Sequence, residues 1–473
     1  MMRLMTSLLI LTPWLFSAQN ITVSEDIPLR NDIAYEIVGN FKDRLLLFRD
    51  RTTEFEIQAF DKNLRESWSK SLNLEKRAPK VIGIIPTESD FTILYRHRAK
   101  NHLVLRANRY DPAANLRDTF TIKDLGFLFY TPNFELVLSE DKSKVLIYFI
   151  ENQQVFNMIS YDILNMKVLW DKSFSPEDMN FWEEFHQIIL SNDGTAFLVL
   201  EKNRFRIRRD YNYHEIFEIS ADPSTPIRYT IPMGEERYTY DVKFDYDNIN
   251  QQLVGAGLYS EKNVDRAMGY FYITMTPDVE GSFLLTFDTF DDDFITNLTG
   301  KAIENNKGIQ EISVQAIILR RDGGAVVICE RNRELSRSLG TNRTIDLGVR
   351  QIVDHYYDDL VVISIHPDGK THWKTILHKK QYSQDDNGIY SSFFLFKTPS
   401  NIRLLFNDEI RYENTVSEYV VSGSGGFDRK SLMSTENLDL RLRFRDATQL
   451  SANEVVIPSE RRSRLRLVKL QYQ

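Results

Sequence analysis

Short runs of alternating hydrophobic and polar residues, separated by polar turns, recur along almost the whole chain. In the first group, four such runs follow one another closely, at 36–41, 44–48, 54–60 and 66–72. Alternation with a period of two is typical of β-strands that bury one face, and the turns are too short for helical crossovers. The pattern predicts an antiparallel unit of four strands.

The four-strand unit returns about every 45 to 55 residues, with two longer intervals, as the blades of a propeller do. The final stretch, 446–473, holds only three strand-like runs, whereas 20–28 is an isolated strand near the start. Because a ring exposes strand edges unless it closes, we expect 20–28 to complete the last blade. The sequence predicts one all-β domain over 19–473, an eight-bladed β-propeller, with seven blades as the alternative.

One segment, 291–307, breaks the strand pattern. Phe294, Leu298, Ala302 and Ile303 recur at helical spacing, three aspartates precede them, and Gly308 is a natural stop. We expect a short helical insertion on one face of the ring.

The first 18 residues have the three parts of a secretory signal peptide. Arg3 precedes the apolar run Leu4–Phe16, which is too short to cross a bilayer, and small residues follow it up to Ala18. No later apolar run reaches the ~18 residues that a membrane helix needs, so we expect no transmembrane segment. The protein is predicted to be exported, with cleavage after Ala18.

Charge and cysteine content narrow the classes of function. The net charge of -8 argues against a general nucleic-acid binder, which needs a basic field for its phosphate contacts. Cys329 is the one cysteine and lies in an apolar run, so an exported chain would have no disulfide framework. We expect Cys329 to be a small buried hydrophobic residue.

No catalytic constellation accompanies the repeat. Four of the eight histidines, His355, His366, His372 and His378, lie close together in sequence, but strand alternation points His366 and His372 to opposite faces. We expect no metal, no cofactor and no catalytic residue, and the balance favours a protein that is not an enzyme. Carboxylates gathered from different blades at a central funnel would leave no local motif, so that alternative stays open.

A hairpin with a tryptophan in its second strand returns in three of the units. The copy at 161–172 resembles the tryptophan-docking repeat of quinoprotein-type propellers, where the indole packs between adjacent blades. The resemblance implies that Trp68, Trp170 and Trp373 dock neighbouring blades. It does not extend to the quinone cofactor, since those enzymes commonly carry a vicinal cysteine pair and this chain has a single cysteine.

The C-terminal third resembles exported propeller proteins of Bacteroidota, whose function is largely undefined. The likeness lies in 321–324, 357–362, 368–373 and 378–388. It implies a place in the bacterial cell envelope, in the periplasm or at the outer membrane. For the tryptophan-docking repeat, noncatalytic relatives such as the eight-bladed scaffold of the outer-membrane protein assembly machinery are a better analogy than the quinoprotein enzymes.

We therefore expect a noncatalytic protein-binding scaffold of a bacterial cell envelope, within an outer-membrane assembly or secretion complex. The alternative is a propeller hydrolase or lyase that acts on carbohydrate at the central funnel. Envelope proteins are the expected partners, and peripheral association with a membrane stays open. The expected partner surface lies on the two longest insertions, 291–308 and 331–354. Its candidate residues are the charged side chains Asp291, Asp292, Asp293, Arg333, Arg337 and Arg343.

Overall fold

Eight antiparallel sheets, each built around four strands, make up the structure, a computed structural model. It describes residues 19–472 except 52–53, 76–78, 203–211, 223–224, 262–263, 278–281, 301–307, 339–350, 409–414 and 436–437. The sheets confirm the predicted eight-bladed β-propeller. The predicted signal peptide, 1–18, lies outside the described residues.

The strands are numbered along the chain. Those at the N-terminus and in the first four blades are β1 (Asn20–Val23), β2 (Ile27–Pro28), β3 (Asp32–Phe41), β4 (Arg44–Arg51), β5 (Phe55–Phe60), β6 (Glu66–Leu72), β7 (Lys80–Pro86), β8 (Phe91–Ala99), β9 (His102–Tyr110), β10 (Leu116–Phe127), β11 (Glu135–Leu138), β12 (Lys144–Glu151), β13 (Val155–Asp162), β14 (Lys167–Phe174), β15 (Phe185–Leu190), β16 (Ala196–Lys202), β17 (Tyr213–Ile219) and β18 (Ile227–Pro232). Those of the last four blades are β19 (Tyr238–Asp247), β20 (Gln252–Ser260), β21 (Gly269–Met275), β22 (Phe283–Thr289), β23 (Ile312–Leu319), β24 (Ala325–Ser338), β25 (Gln351–Ile365), β26 (Thr371–Leu377), β27 (Gln381–Gln384), β28 (Phe394–Lys397), β29 (Asn401–Asn407), β30 (Thr415–Ser422), β31 (Phe427–Ser434), β32 (Thr448–Gln449), β33 (Glu454–Arg461) and β34 (Arg464–Gln471).

The eighth blade joins the two ends of the described chain. Strands β32, β33 and β34 come from the C-terminal part, and β1 pairs antiparallel with β34, with Asn20 opposite Gln471. Strand β2 continues along the same edge, with Ile27 opposite Leu465. The N-terminal strand therefore covers backbone groups of β34 that would otherwise form an open edge.

Strand order gives the ring two unlike faces. Blades 1 to 7 begin at β3, β7, β11, β15, β19, β23 and β28, in that order. Within each of them the four main strands pair in chain order, so successive connections lie at alternate ends. First strands of adjacent blades, such as β15 and β19, contact one another around the axis. Turns between strands one and two, or three and four, form what we call the turn face. The other connections, which include the described residues 175–184, 290–300, 308–311 and 378–393, form the loop face.

The core is divided among the junctions between blades. One cluster of buried hydrophobic residues lies at each of the eight junctions. Cys329 is fully buried in the cluster between blades 5 and 6, which confirms the expectation for it. Burial raises the pKa of its thiol, so the thiolate is disfavoured.

Two short helices, α1 (Phe181–Glu184) and α2 (Asp292–Thr299), lie in connections of the loop face. The predicted insertion is confirmed as a helix from Asp292 to Thr299, and 301–307 of its predicted range lie outside the described residues. Helix α2 stops at Gly300, whose φ of 67° is left-handed and suits glycine. Neither helix of the described chain is long and apolar enough to cross a membrane.

Candidate binding face

Helix α2 is fixed on the loop face between blades 5 and 6. Phe294, Ile295 and Leu298 are buried in the apolar cluster of that junction. Arg331 of β24 donates a hydrogen bond of 3.2 Å from Nη1 to the Leu298 carbonyl oxygen. The helix is therefore attached to blade 6, and its acidic first turn is left at the surface.

The three candidate aspartates of α2 have different roles. The Asp291 carboxylate accepts a hydrogen bond from the Phe294 amide (2.8 Å) and another from Lys374 Nζ (2.9 Å). The bond from Lys374 holds the pKa of Asp291 below its usual value. Asp292 and Asp293 are exposed and have no polar partner among the described residues. Asp291 therefore stabilises the helix, and the other two are available for binding.

The described parts of the second candidate insertion, 331–338 and 351–354, form a β-ribbon. Strands β24 and β25 stay paired as far as Ser338 opposite Gln351, and β27 adds a third strand beside β25. The 14 residues of β24 span about 45 Å, much longer than a usual strand. The described part of the insertion therefore extends blade 6 beyond the loop face. Arg343, in 339–350, lies outside the described residues.

The two described arginines of the ribbon are exposed but oriented by neighbours. Arg337 Nε lies 2.6 Å from Asp354 Oδ2, and this hydrogen bond lowers the pKa of Asp354. The Arg333 guanidinium lies 4.5 Å from the ring centroid of Tyr356 and 3.7 Å from Glu311. The ribbon thus presents two positioned cations on the same face of the ring as α2.

A crevice of about 750 Å³ opens on the loop face where blade 8 meets blade 1. Within it, Tyr35 Oη donates a hydrogen bond of 3.3 Å to Glu460 Oε2. Arg443 pairs with Glu460 and, at 2.6 Å, with Asp446. Burial raises the pKa of the Tyr35 hydroxyl, so it stays a hydrogen-bond donor.

Glu36 lines the same crevice and is the group there that could exchange a proton near neutral pH. Protein surrounds the carboxyl on most sides, and this burial raises its pKa to about 7. The side chain is nevertheless exposed to solvent in the crevice, which limits the desolvation. A carboxyl with such a pKa suits general acid–base chemistry.

A smaller pocket of about 450 Å³ adjoins the crevice and is mainly basic. Asp26 accepts hydrogen bonds from Arg464 (2.8 Å) and Arg466, and Asp439 pairs with Arg461. The arginines that line the pocket are Arg30, Arg461, Arg462, Arg464 and Arg466. Two of the five arginines, Arg464 and Arg466, thus tie the N-terminal segment to the last hairpin, and a third, Arg461, ties the hairpin to the connection that precedes blade 8.

The three tryptophans of the repeated hairpin lie at junctions between blades. Trp170 is buried and donates a hydrogen bond of 2.8 Å to the Gly194 carbonyl of blade 4. Trp373, half-buried, donates one of 2.9 Å to the Gly423 carbonyl of blade 7. Trp68 is half-buried against the apolar cluster of blades 1 and 2.

The histidine hairpin differs from its predicted geometry. The rings of His366 and His372 lie 4.5 Å apart between centroids, although alternation placed them on opposite faces. A bulge shifts the register between Ser364 and Ile365 and so turns His372 towards His366. Within the described part of the chain, no three His, Cys, Asp or Glu side chains are placed to hold a metal.

Sequence reasoning missed a group of exposed aromatic residues on the loop face near blade 3. Phe127, Phe129, Tyr130 and Trp182 are 57%, 94%, 56% and 76% exposed. All four lie at or beyond a strand end, where alternation gives no reason to bury a ring. Several aromatic residues in two connections of one face would have been the available signal.

Comparisons with known proteins find only distant likenesses. No protein-family model matches the chain, and no curated protein matches it. It is similar to a solved Dos1 propeller (8% identity, TM-score 0.44, covering 95% of this chain and 94% of that one). It is also similar to the WD40 domain of SCAP from fission yeast (10% identity, TM-score 0.40, covering 96% of this chain and 98% of that one). A third similar structure is an oligogalacturonate lyase in complex with manganese (9% identity, TM-score 0.37, covering 97% of this chain and 98% of that one). The pairing of the chain's own strands defines it as a β-propeller. Likenesses this distant carry no argument about function.

Proposed function

We propose that the protein is a noncatalytic protein-binding scaffold of a bacterial cell envelope and that it binds its partner through the loop face at blades 5 and 6. One observation carries the proposal. The exposed carboxylates of Asp292 and Asp293 and the exposed guanidinium groups of Arg333 and Arg337 lie on adjacent projections of one face. Opposite charges side by side orient a folded partner, because each rejects a misplaced like charge.

Both projections are firmly held, which favours binding without a large loss of entropy. Three buried side chains and the bond between Lys374 and Asp291 fix α2. Continuous pairing of β24 with β25 fixes the ribbon. The shorter connections of the turn face, such as Lys42-Asp43 between β3 and β4, leave little surface free to specialise.

The envelope location in this proposal rests on the sequence. The predicted signal peptide and the resemblance to exported propellers support a periplasmic or outer-membrane-associated protein with envelope proteins as partners. Cell fractionation with an antibody to the propeller tests the location, and a cytosolic pool of chain with an intact N-terminus would contradict it.

Charge reversal on each projection tests the binding surface. We expect that Asp292→Lys with Asp293→Lys, and separately Arg333→Glu with Arg337→Glu, lower recovery of the same partner at least about tenfold in quantitative co-purification from native envelopes. Lys62→Glu with Arg65→Glu, at the exposed turn of blade 1 on the turn face, is the matched control. If both loop-face variants fold and retain every partner, the surface is misassigned.

A second candidate function, a carbohydrate hydrolase or lyase, is favoured by Glu36 alone. Its raised pKa and its place in a 750 Å³ crevice would suit a general acid or base. Release of reducing or unsaturated ends from envelope polysaccharide, abolished by Glu36→Gln, would support an enzyme. Equal product from the wild type and from Glu36→Gln would exclude this candidate function.

A further inference from the structure

Two connections place four exposed aromatic side chains on the loop face around one turn of blade 3. The aromatic ridge comprises Phe127, Phe129 and Tyr130, which enter blade 3, and Trp182 of α1, which leaves it. Phe129 is 94% and Trp182 76% exposed. Single exposed apolar residues are ordinary, but contiguous ones mark interaction sites.

The ridge is built around one tight turn. Tyr130 Oη donates to Glu151 Oε1 at 3.1 Å, and Trp182 Nε1 donates to Gln153 Oε1 at 3.0 Å. Glu151 and Gln153 belong to the same turn between β12 and β13, closed by a hydrogen bond from the Gln154 amide to the Glu151 carbonyl. The two rings are thus held by their polar atoms on a common support, and their apolar parts stay at the surface.

The phenylalanines are held as well. Phe127 and Phe129 pack edge to face with ring centroids 4.9 Å apart. Between them, the Leu128 carbonyl accepts hydrogen bonds of 3.4 and 3.3 Å from the Arg98 guanidinium, which also reaches Thr131. An ordered aromatic surface costs a partner little entropy to bind.

The surroundings of the ridge are acidic on the Trp182 side. Glu177, Asp178 and Glu183 are exposed, and no hydrogen bond or ion pair of their side chains occurs among the described residues. The neighbouring Glu184 differs, since Lys202 Nζ lies 2.5 Å from it. Free carboxylates beside aromatic rings attract cations and oppose anionic phospholipid headgroups.

We propose that the aromatic ridge is a docking site for a segment of a partner protein that presents Lys or Arg side chains beside aliphatic or aromatic ones. The apolar side chains pack on Phe129 and Trp182, and the cations face Glu177, Asp178 and Glu183. Arg or Lys can also stack on the exposed rings. The site lies above blade 3 and shares no residue with the charged projections at blades 5 and 6. An experiment can therefore disprove either binding surface without affecting the other.

Short labelled peptides test the ridge, with the full chain as receptor and fluorescence anisotropy as the measurement. Three probes of equal length are used: one of lysine and leucine, one of glutamate and leucine, and one of lysine and serine. We expect the lysine–leucine peptide to bind at least about tenfold more tightly than either of the others. Equal binding of the lysine–leucine and lysine–serine peptides would overturn the proposal, because a nonspecific attraction to an acidic protein would then suffice.

Variants locate the binding. Phe129→Ser and Trp182→Ser should each weaken the lysine–leucine peptide about tenfold, and Glu177→Lys with Glu183→Lys should weaken it chiefly at low salt. Ile249→Ser is the matched control, since Ile249 is 69% exposed on the turn face. Unchanged affinity in the ridge variants would overturn the proposal.

Two further measurements decide between occupants. Vesicles with anionic phospholipid that bind the protein through Phe129 and Trp182 would show a membrane site instead. Sedimentation of the protein alone, with a dimer lost in Phe129→Ser, would show that a second copy covers the ridge. Either result would overturn the proposal that a partner segment occupies the ridge.

Discussion

The indole Nε1 of Trp170 donates a hydrogen bond of 2.8 Å to the carbonyl oxygen of Gly194, and so fastens the last strand of blade 3 to the first turn of blade 4. Ser160 Oγ donates to the same oxygen at 2.9 Å. Gly194 has a φ of 94°, and a Cβ there would lie 2.5 Å from Leu169 Cδ1. The close approach that makes this contact therefore requires glycine.

Replacing Trp170 should destabilise the ring according to how much of the indole is lost. We expect Trp170→Ala to lower the free energy of unfolding by about 3 to 5 kcal/mol, since it leaves a cavity between blades. Trp170→Phe keeps most of the packing, and loss of the hydrogen bond should cost about 1 kcal/mol beyond the smaller ring. Denaturant unfolding followed by circular dichroism measures both. Trp182→Ala, at an exposed site, is the control and should change stability by less than about 0.5 kcal/mol.

Removing the N-terminal strand should open the ring. A chain that begins at Leu29 loses Ile21, Val23 and Ile27 from the apolar clusters beside blade 8 and exposes β34. We expect a sharply lower unfolding temperature and aggregation through the free edge. Glu25→Ala, an exposed substitution within the same segment, should leave the temperature unchanged. A truncated chain as stable as the full one would mean that closure contributes nothing.

Removing one partner of a buried ion pair in blade 6 should lower the free energy of unfolding. Lys379 Nζ lies 2.6 Å from Glu330 Oε1, both side chains are fully buried, and desolvation lowers the pKa of Lys379. Lys379→Met leaves the carboxylate without its cation and should cost about 3 to 5 kcal/mol of stability. Adding Glu330→Gln should recover much of this. A double variant no more stable than Lys379→Met would show that hydrogen bonds to Tyr357 and Gln381, not the charge pair, are decisive.

The raised pKa of Glu36 predicts the sign of one pH effect. The pKa of Glu36 is about 7 in the folded protein, whereas the ordinary value, expected in the unfolded chain, is 4.5. The folded state therefore binds the proton more tightly than the unfolded state does. The contribution of Glu36 to stability is full below pH 4.5 and is lost as the pH rises to about 7. Glu36→Gln should therefore be more stable than the wild type at pH 8 and similar to it at pH 4. The reverse order in thermal unfolding at the two pH values would contradict the raised pKa.

Local signals explain why the blades could be predicted. In blade 4, every residue of β16 is buried, so alternation is lost there, yet Asn192-Asp193-Gly194 still marks the turn before it. Each blade carries such turns within its own stretch of chain. The count of eight follows from the sequence because pairing inside a blade is between neighbours in sequence.

The features that escaped prediction depend on contacts between distant residues or on small shifts of register. Tyr35 and Glu460 meet in the crevice although 425 residues separate them, and no local pattern records that meeting. The bulge beside Ile365 reverses the direction of one side chain, which alternation cannot foresee. The end of α2 at Gly300 depends on the left-handed backbone of that glycine, which the apolar spacing of the helix does not indicate.

Because β1 pairs with β34, the last blade can close only after nearly the whole chain has been synthesised. Asp26 and Arg466, which meet at this seam, are 440 residues apart, so the first strand leaves the ribosome long before its partner exists. Seven blades can form by pairing of neighbouring segments while that strand waits with an unpaired edge. A polypeptide interrupted before its final hairpin keeps this edge open, and quality-control proteases and chaperones can recognise it as unfinished.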